Sequence, residues 1–175
     1  MRTFLERSQP FWARVIEFAF YSFCGWSYEM VAEGILAGHL VERGYLHLPM
    51  CVIYGFFSIV VLQVFKPQKH KPAAVFFLSM AIVTVMEYLS ALLIEAVLHR
   101  KLWDYSRWIC NLHGRVSLIS SLIFGTACVA MVFWSHPLLN RVLNRKKYCG
   151  AVFCAGFLLL AAIVCDAVIT SLGIA

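Results

Sequence analysis

The chain has 175 residues, of which 62% are hydrophobic and 14% charged, with a formal net charge of +6. Soluble domains carry about 25% charged residues, so this composition excludes an ordinary soluble protein. The positive balance does not point to nucleic acid either, because the basic residues gather at the ends of apolar runs, where a membrane protein keeps its topogenic charges.

The apolar runs are continuous rather than alternating, which argues against a transmembrane β-barrel. They are long enough to cross a bilayer as helices, which takes about 20 residues each. The expected fold class is therefore all-α, a polytopic membrane helix bundle of about five spans, forming a single domain over residues 1–175. No cleavable signal peptide is expected, since the first apolar run begins near Val15 and leads into acidic sequence.

Residues 1–14 read as a short basic head with Trp12 at the interface. The first span, about 15–36, carries Ser22, Gly25, Trp26, Glu29 and Glu33 at helical spacing, so one polar stripe follows one face. Gly34 and Gly38 fit either a close helix contact or a helix stop. A connector over 39–49 leads to a short second span, about 50–65. Residues 66–72 form a basic turn containing two prolines, which end and restart helices. The third span, about 73–98, places Thr84, Tyr88, Ala91 and Glu95 on one side with Glu87 beside them. The connector 102–116 reads L-W-D-Y-S-R-W-I-C-N-L-H-G-R-V, a composition too specialised for a simple link. The fourth span covers about 117–134, a second basic turn 136–148, and the fifth span about 149–171 with Asp166 as its one charge.

Five spans put the termini on opposite sides. Ten basic residues (Arg2, Arg7, Arg14, Lys66, Lys69, Lys71, Arg141, Arg145, Lys146, Lys147) fall on one side and five (Arg43, Arg100, Lys101, Arg107, Arg115) on the other. The positive-inside rule then makes the N-terminus cytoplasmic and the C-terminus exoplasmic, at the cell membrane. Residues 102–116 become a folded or re-entrant exoplasmic cap. Glu29, Glu33, Glu87, Glu95 and Asp166 lie at similar depth beneath the connectors.

A carboxylate at the centre of a membrane helix costs about 2.5–3.5 kcal/mol, so these acids are expected to face the bundle interior and pair. Either they pair with Arg43 or Arg115 to pin the connectors, or they line an outward-open polar pocket for a solute or headgroup, or Glu87 or Asp166 serves a proton- or ion-coupled role. The candidate site is Glu29, Arg43, Tyr54, Glu87, Glu95, Trp103, Asp104, Tyr105, Asn111 and Arg115. Within it, Asp104 is expected to accept hydrogen bonds from the backbone of 106–108 or from Arg115. Trp103 would pack inward, and Asn111 and Arg115 would close the cap onto Glu87 or Glu29. His39, Glu42, His47 and His113 match no metal spacing, so no metal and no cofactor is expected. Cys51 and Cys110 fall on one side, which leaves a disulfide between them open. There is no G-x-x-x-x-G-K-[ST], so ATP is not bound here by a P-loop.

F-Y-S-F-C-G-W-S-Y-E from Phe20, R-G-Y-L at Arg43, P-x-x-x-I-Y-G ending at Gly55, M-E-Y at Met86, I-E at Ile94, W-D-Y-S at Trp103 and N-L-H-G-R at Asn111 carry a resemblance. Over about residues 18–138 the chain resembles the bacterial family called putative ABC-transporter type IV. It departs from the family pattern at Leu46-His47-Leu48, where a Gly-Pro-containing run is more usual. The resemblance implies a permease-like subunit.

Three functions follow. The leading one is a small permease or substrate-binding subunit whose ATP hydrolysis comes from a separate ATPase or scaffold partner engaging 66–72 and 136–148. The second is an intramembrane enzyme acting on a lipid or lipid-linked substrate, with Glu29, Glu87, Glu95 and Asp104 as acid–base groups. The third is an accessory protein whose buried ion pairs only specify packing. Membrane lipid is a partner in all three.

Overall fold

The computed structural model describes residues 4–39, 44–65 and 71–173, with backbone alone for Glu33, Leu36 and Ala37. The described residues are 78% helical and contain no strand beyond an isolated bridge between Leu112 and Val116. The helices are α1 (Phe4–Ala37), α2 (Val52–Val64), α3 (Pro72–Leu98), α4 (Leu118–Ala130), α5 (His136–Leu143) and α6 (Cys149–Leu172). A π-helical turn, Met131–Ser135, follows α4, and a 3-10 turn, Lys146–Tyr148, precedes α6. Pro72–Leu98, Leu118–Leu143 and Lys146–Leu172 are each long and apolar enough to cross a membrane. The all-α membrane fold is thus as the composition requires.

Two segments differ from the sequence expectation. The head is not a separate segment, because α1 begins at Phe4 and carries Pro10 inside it. Proline removes one helical hydrogen bond, and a helix tolerates this where tertiary packing holds it. Here Trp12 packs edge-on against Phe153 and Phe157 of α6, and the Gln9 amide donates to the Leu143 carbonyl at the C-terminal end of α5. The segment 136–148 is not a turn either. It forms α5, which continues α4 through the π-helical turn, so Pro137 falls inside one unbroken helical run, just past that turn. The basic residues mask the helical spacing of Leu138, Leu139, Val142 and Leu143.

The chain packs as two compact units, Met1–Ile59 with His136–Ala175, and Val60–Ser135. In the first, α1 lies along α6 and also touches α5. A Cβ on Gly156 would sit 3.0 Å from the Trp12 ring, so that glycine seats the indole. Trp12 is the ninth residue of α1 and Gly156 the eighth of α6, so the two helices start nearly level and run parallel. In the second unit, α3 packs on α4. The buried residues of α3 are Val75, Ser79, Val83, Glu87 and Ala91, each four apart, which is a single i±4 ridge. α4 answers with Ser120, Ser121, Phe124, Gly125 and Cys128, mostly small residues that allow close approach.

Candidate functional site

The connector after α3 folds as a knot. His99 ends the helix in the left-handed conformation, its N–H bonded to the Glu95 carbonyl. Tyr105 N–H donates to the Gly114 carbonyl at 2.7 Å, and the Trp103 indole N–H donates to the Arg115 carbonyl at 2.9 Å. The Asn111 amide donates to the carbonyls of Ser106 and Trp108, while its oxygen accepts from Gly114 N–H. Asp104 accepts from the Ser106 N–H at 2.9 Å and also from the Ser106 hydroxyl. Gly114 has φ +70, and a Cβ there would meet Asp104 Oδ1 at 2.6 Å and Ser106 Oγ at 2.5 Å. Only glycine fits, so W-D-Y-S and N-L-H-G-R are two halves of one folded object.

This knot reaches two carboxylates of α3. The Tyr105 hydroxyl donates to Glu87 Oε1 at 3.0 Å, and Glu87 is 4% exposed. The Arg115 guanidinium donates to Glu95 Oε2 at 2.6 Å, the two side chains being 20% and 24% exposed. It also lies 5.6 Å from the centre of the Tyr88 ring, whose hydroxyl contacts His113 Nδ1 at 2.9 Å. A shallow crevice beside the pair is lined by Ala91, Ile94, Glu95, Lys101, Leu102 and Trp103.

Several expectations are corrected here. Arg115 closes onto Glu95, not onto Glu87 or Glu29. Glu87 and Glu95 are eight residues apart, about 12 Å along a helix, so one guanidinium cannot hold both. The deeper acid instead takes a neutral phenol. Asn111 satisfies the knot's own backbone and touches neither acid. Asp104 makes the expected bond to the backbone but is an exposed residue, so it fixes a surface turn rather than a buried network. The Ser106 hydroxyl, then its N–H, holds the Asp104 carboxyl below the usual carboxylate range. The bond to Glu95 holds the Arg115 guanidinium charged even more firmly than usual.

In the other unit, Glu29 is held by Gly25 of α1, Tyr54 of α2 and Cys51 just before α2. Gly25 leaves a hollow on α1, and a Cβ there would lie 2.2 Å from the Tyr54 ring. The ring fills the hollow and its hydroxyl donates to Glu29 Oε1, one turn further along α1, at 2.9 Å. The Cys51 thiol approaches Glu29 Oε2 at 3.7 Å, and Cys51 N–H donates to the Ser22 carbonyl. Tyr54 and Glu29 are both candidate site residues read from sequence, and the structure brings them together. Arg43 lies outside the described residues, as does the Glu33 side chain. Cys51 and Cys110 are both free thiols, so the disulfide is not formed.

The family model described as Putative ABC-transporter type IV matches residues 16–171, most of the chain. The chain belongs to this family. The match extends past the motifs quoted above to include α5 and nearly all of α6. Comparison with curated proteins and with solved structures finds no match.

One buried acid of this family member, Glu17, escapes the sequence reading, and Asp166 is read there without its partner. Glu17 is buried on α1 and accepts from Arg14 at 3.3 Å, with His136 Nδ1 at 2.8 Å on its other oxygen. The i, i+3 spacing of Arg14 and Glu17 was the available signal, but nothing in sequence brings His136 to it. Asp166 on α6 contacts His47 Nδ1 and accepts from Leu48 N–H, both at 2.9 Å. The Leu46-His47-Leu48 departure from the family pattern is thus where the 44–50 loop straps onto α6. Among the described residues no group of three His, Cys, Asp or Glu is placed to hold a metal.

Proposed function

We propose that this member of the family is a small permease-like or substrate-binding membrane subunit with an outward-facing polar site at the 102–116 knot. The observation that carries this is the Glu95–Arg115 pair. An ion pair kept only for packing gains little over apolar residues of the same size. This one is left partly open, with Lys101 and Trp103 on the adjoining crevice. In this reading a polar solute or lipid headgroup would compete for the partly exposed pair itself, while Tyr105 keeps Glu87 closed. The two-to-one basic bias supports the orientation with the N-terminus cytoplasmic and the knot outside. ATP hydrolysis would come from a separate ATPase engaging the basic turn 66–72, of which Lys71 and Pro72 lie within the described residues.

The test is purification of the tagged protein from its native membranes. A P-loop ATPase should co-purify, and Glu95→Gln should leave that complex intact while lowering its substrate-stimulated ATP hydrolysis at least about tenfold, the loss of one charge-assisted contact. Purification alone, with Glu95→Gln changing only the melting temperature, would favour the accessory reading, which the direct 2.6 Å contact otherwise supports.

A further inference from the structure

The α5 segment is held at both ends by side chains of α1. At its start His136 meets buried Glu17 at 2.8 Å. Past its end the Gln9 amide, itself buried, donates to the carbonyls of Leu143 and Arg145 at 2.8 and 2.9 Å. These anchors fix which face of the helix turns away from α1. That outer face carries Leu138, Arg141 and Val142 at i, i+3 and i+4, followed by Arg145, Lys146 and Lys147. Leu138 is 64% exposed and Val142 46%, and all four cations are exposed. Lys146 shares a loose 3.8 Å contact with Glu6, and Lys147 lies over the Tyr148 ring. α6 begins at Cys149, so the cations stand at the entrance of an apolar membrane-length helix.

A face turned only to water has no use for two exposed aliphatic residues. A face turned only to acyl chains would not carry four cations within seven residues. Both together fit the boundary between headgroups and acyl chains, where apolar side chains insert and cations meet phosphate. We infer that Leu138–Tyr148 is a preformed docking surface for anionic phospholipid headgroups, and that this segment, expected from sequence to receive an ATPase, lies against the membrane instead. The inference is independent of what the 102–116 knot binds.

Two measurements test it on the full chain. In detergent, dioleoyl phosphatidylglycerol should bind more tightly than the phosphatidylcholine analogue, as read by native mass spectrometry. Each cation at an anionic surface contributes roughly fivefold, so Arg141→Gln, Arg145→Gln, Lys146→Gln and Lys147→Gln together should erase a preference of at least about tenfold. The lipid-free melting temperature should change little, because the side-chain contact of the four with α1 is the loose, exposed one between Lys146 and Glu6. Inorganic phosphate at millimolar concentration should not displace the lipid, since it lacks the acyl chains that Leu138 and Val142 meet. Equal binding of the two lipids, a preference that survives the four substitutions, or displacement by phosphate alone would overturn the inference. A photo-crosslinking residue placed at 138 in native membranes should add the mass of a phospholipid. A protein adduct would give the surface to a partner subunit, and no adduct would leave it in water; either result also overturns it.

Discussion

Tyr54, Gly25 and Glu29 depend on one another in a way that single substitutions can separate. A methyl group at position 25 must displace an aromatic ring that has no flexible end to move aside. Gly25→Ala should therefore cost about 1–3 kcal/mol, the usual penalty for overpacking. In a Tyr54→Ala background the same change should cost much less, because the hollow is then empty. Tyr54→Phe keeps the ring and removes only the hydroxyl, leaving Glu29 Oε1 without that donor at a cost of about 1–3 kcal/mol. Thermal unfolding of the four variants in one detergent checks all of this. Asp104 behaves differently because it is exposed. Its folded carboxyl titrates below the ordinary value, so the stability it lends the knot is complete above the unfolded pKa of about 4. That contribution fades as pH falls through the folded value. Asp104→Asn should melt below the parent at pH 7 and converge with it in acid; a constant gap across that range would contradict the assignment.

At the scale of elements, the knot and its neighbouring helix ends are where local chemistry decides stability. Ser117 caps α4 by accepting from Ser120 N–H at 3.0 Å, and the Ser120 hydroxyl answers the Ser117 N–H, a full capping box in a buried position. Ser117→Ala should destabilise by about 1–2 kcal/mol. His99 closes α3 with φ 52, a conformation that glycine adopts without strain. His99→Gly should therefore raise the melting temperature slightly, and a fall would show that the imidazole has a role of its own. The span boundaries of α2, α3 and α6 were legible because apolar runs end at prolines, glycines and basic residues. α5 was not, since its apolar residues are interleaved with cations and follow a proline. The acids were legible as groups needing partners, and Tyr54 and Arg115 as residues able to pair, but which acid takes which partner was not. Tyr105 for Glu87 and His47 for Asp166 depend on how loops fold back, and no periodicity records that. Asp104 was placed correctly in its turn but wrongly in the interior, because sequence shows a local hydrogen bond more readily than depth.

For the whole molecule, the proposed orientation makes a direct prediction. Cysteines introduced at 68 and 144 should react with impermeant thiol reagent only from the cytoplasmic side, and one at 107 only from outside, in a background lacking the native cysteines. The reverse pattern would put the Glu95–Arg115 pair inside the cell and remove the outward-facing site. What composition could establish was the solvent, a bilayer, and hence an all-helical fold. It could not show that residues 4–14 extend the first helix, since that depends on an indole finding Gly156 on a helix more than 140 positions away.

The level start of α1 and α6 has a consequence for the thickness of the bilayer. α1 has 34 residues and α6 has 24, so the first helix outreaches the last by ten, or about 15 Å. All of that excess falls at its C-terminal end, and Glu29, the twenty-sixth residue of α1, stands just past the level where α6 stops. In the proposed orientation, with α1 crossing the bilayer beside α6, short acyl chains would leave its carboxylate among headgroups and water. As the chains lengthen, hydrocarbon rises around it, and the Tyr54 hydroxyl must replace more of the solvation it loses. The protein should accordingly be most stable in thin membranes, and Glu29→Gln should flatten the dependence of its melting temperature on acyl-chain length.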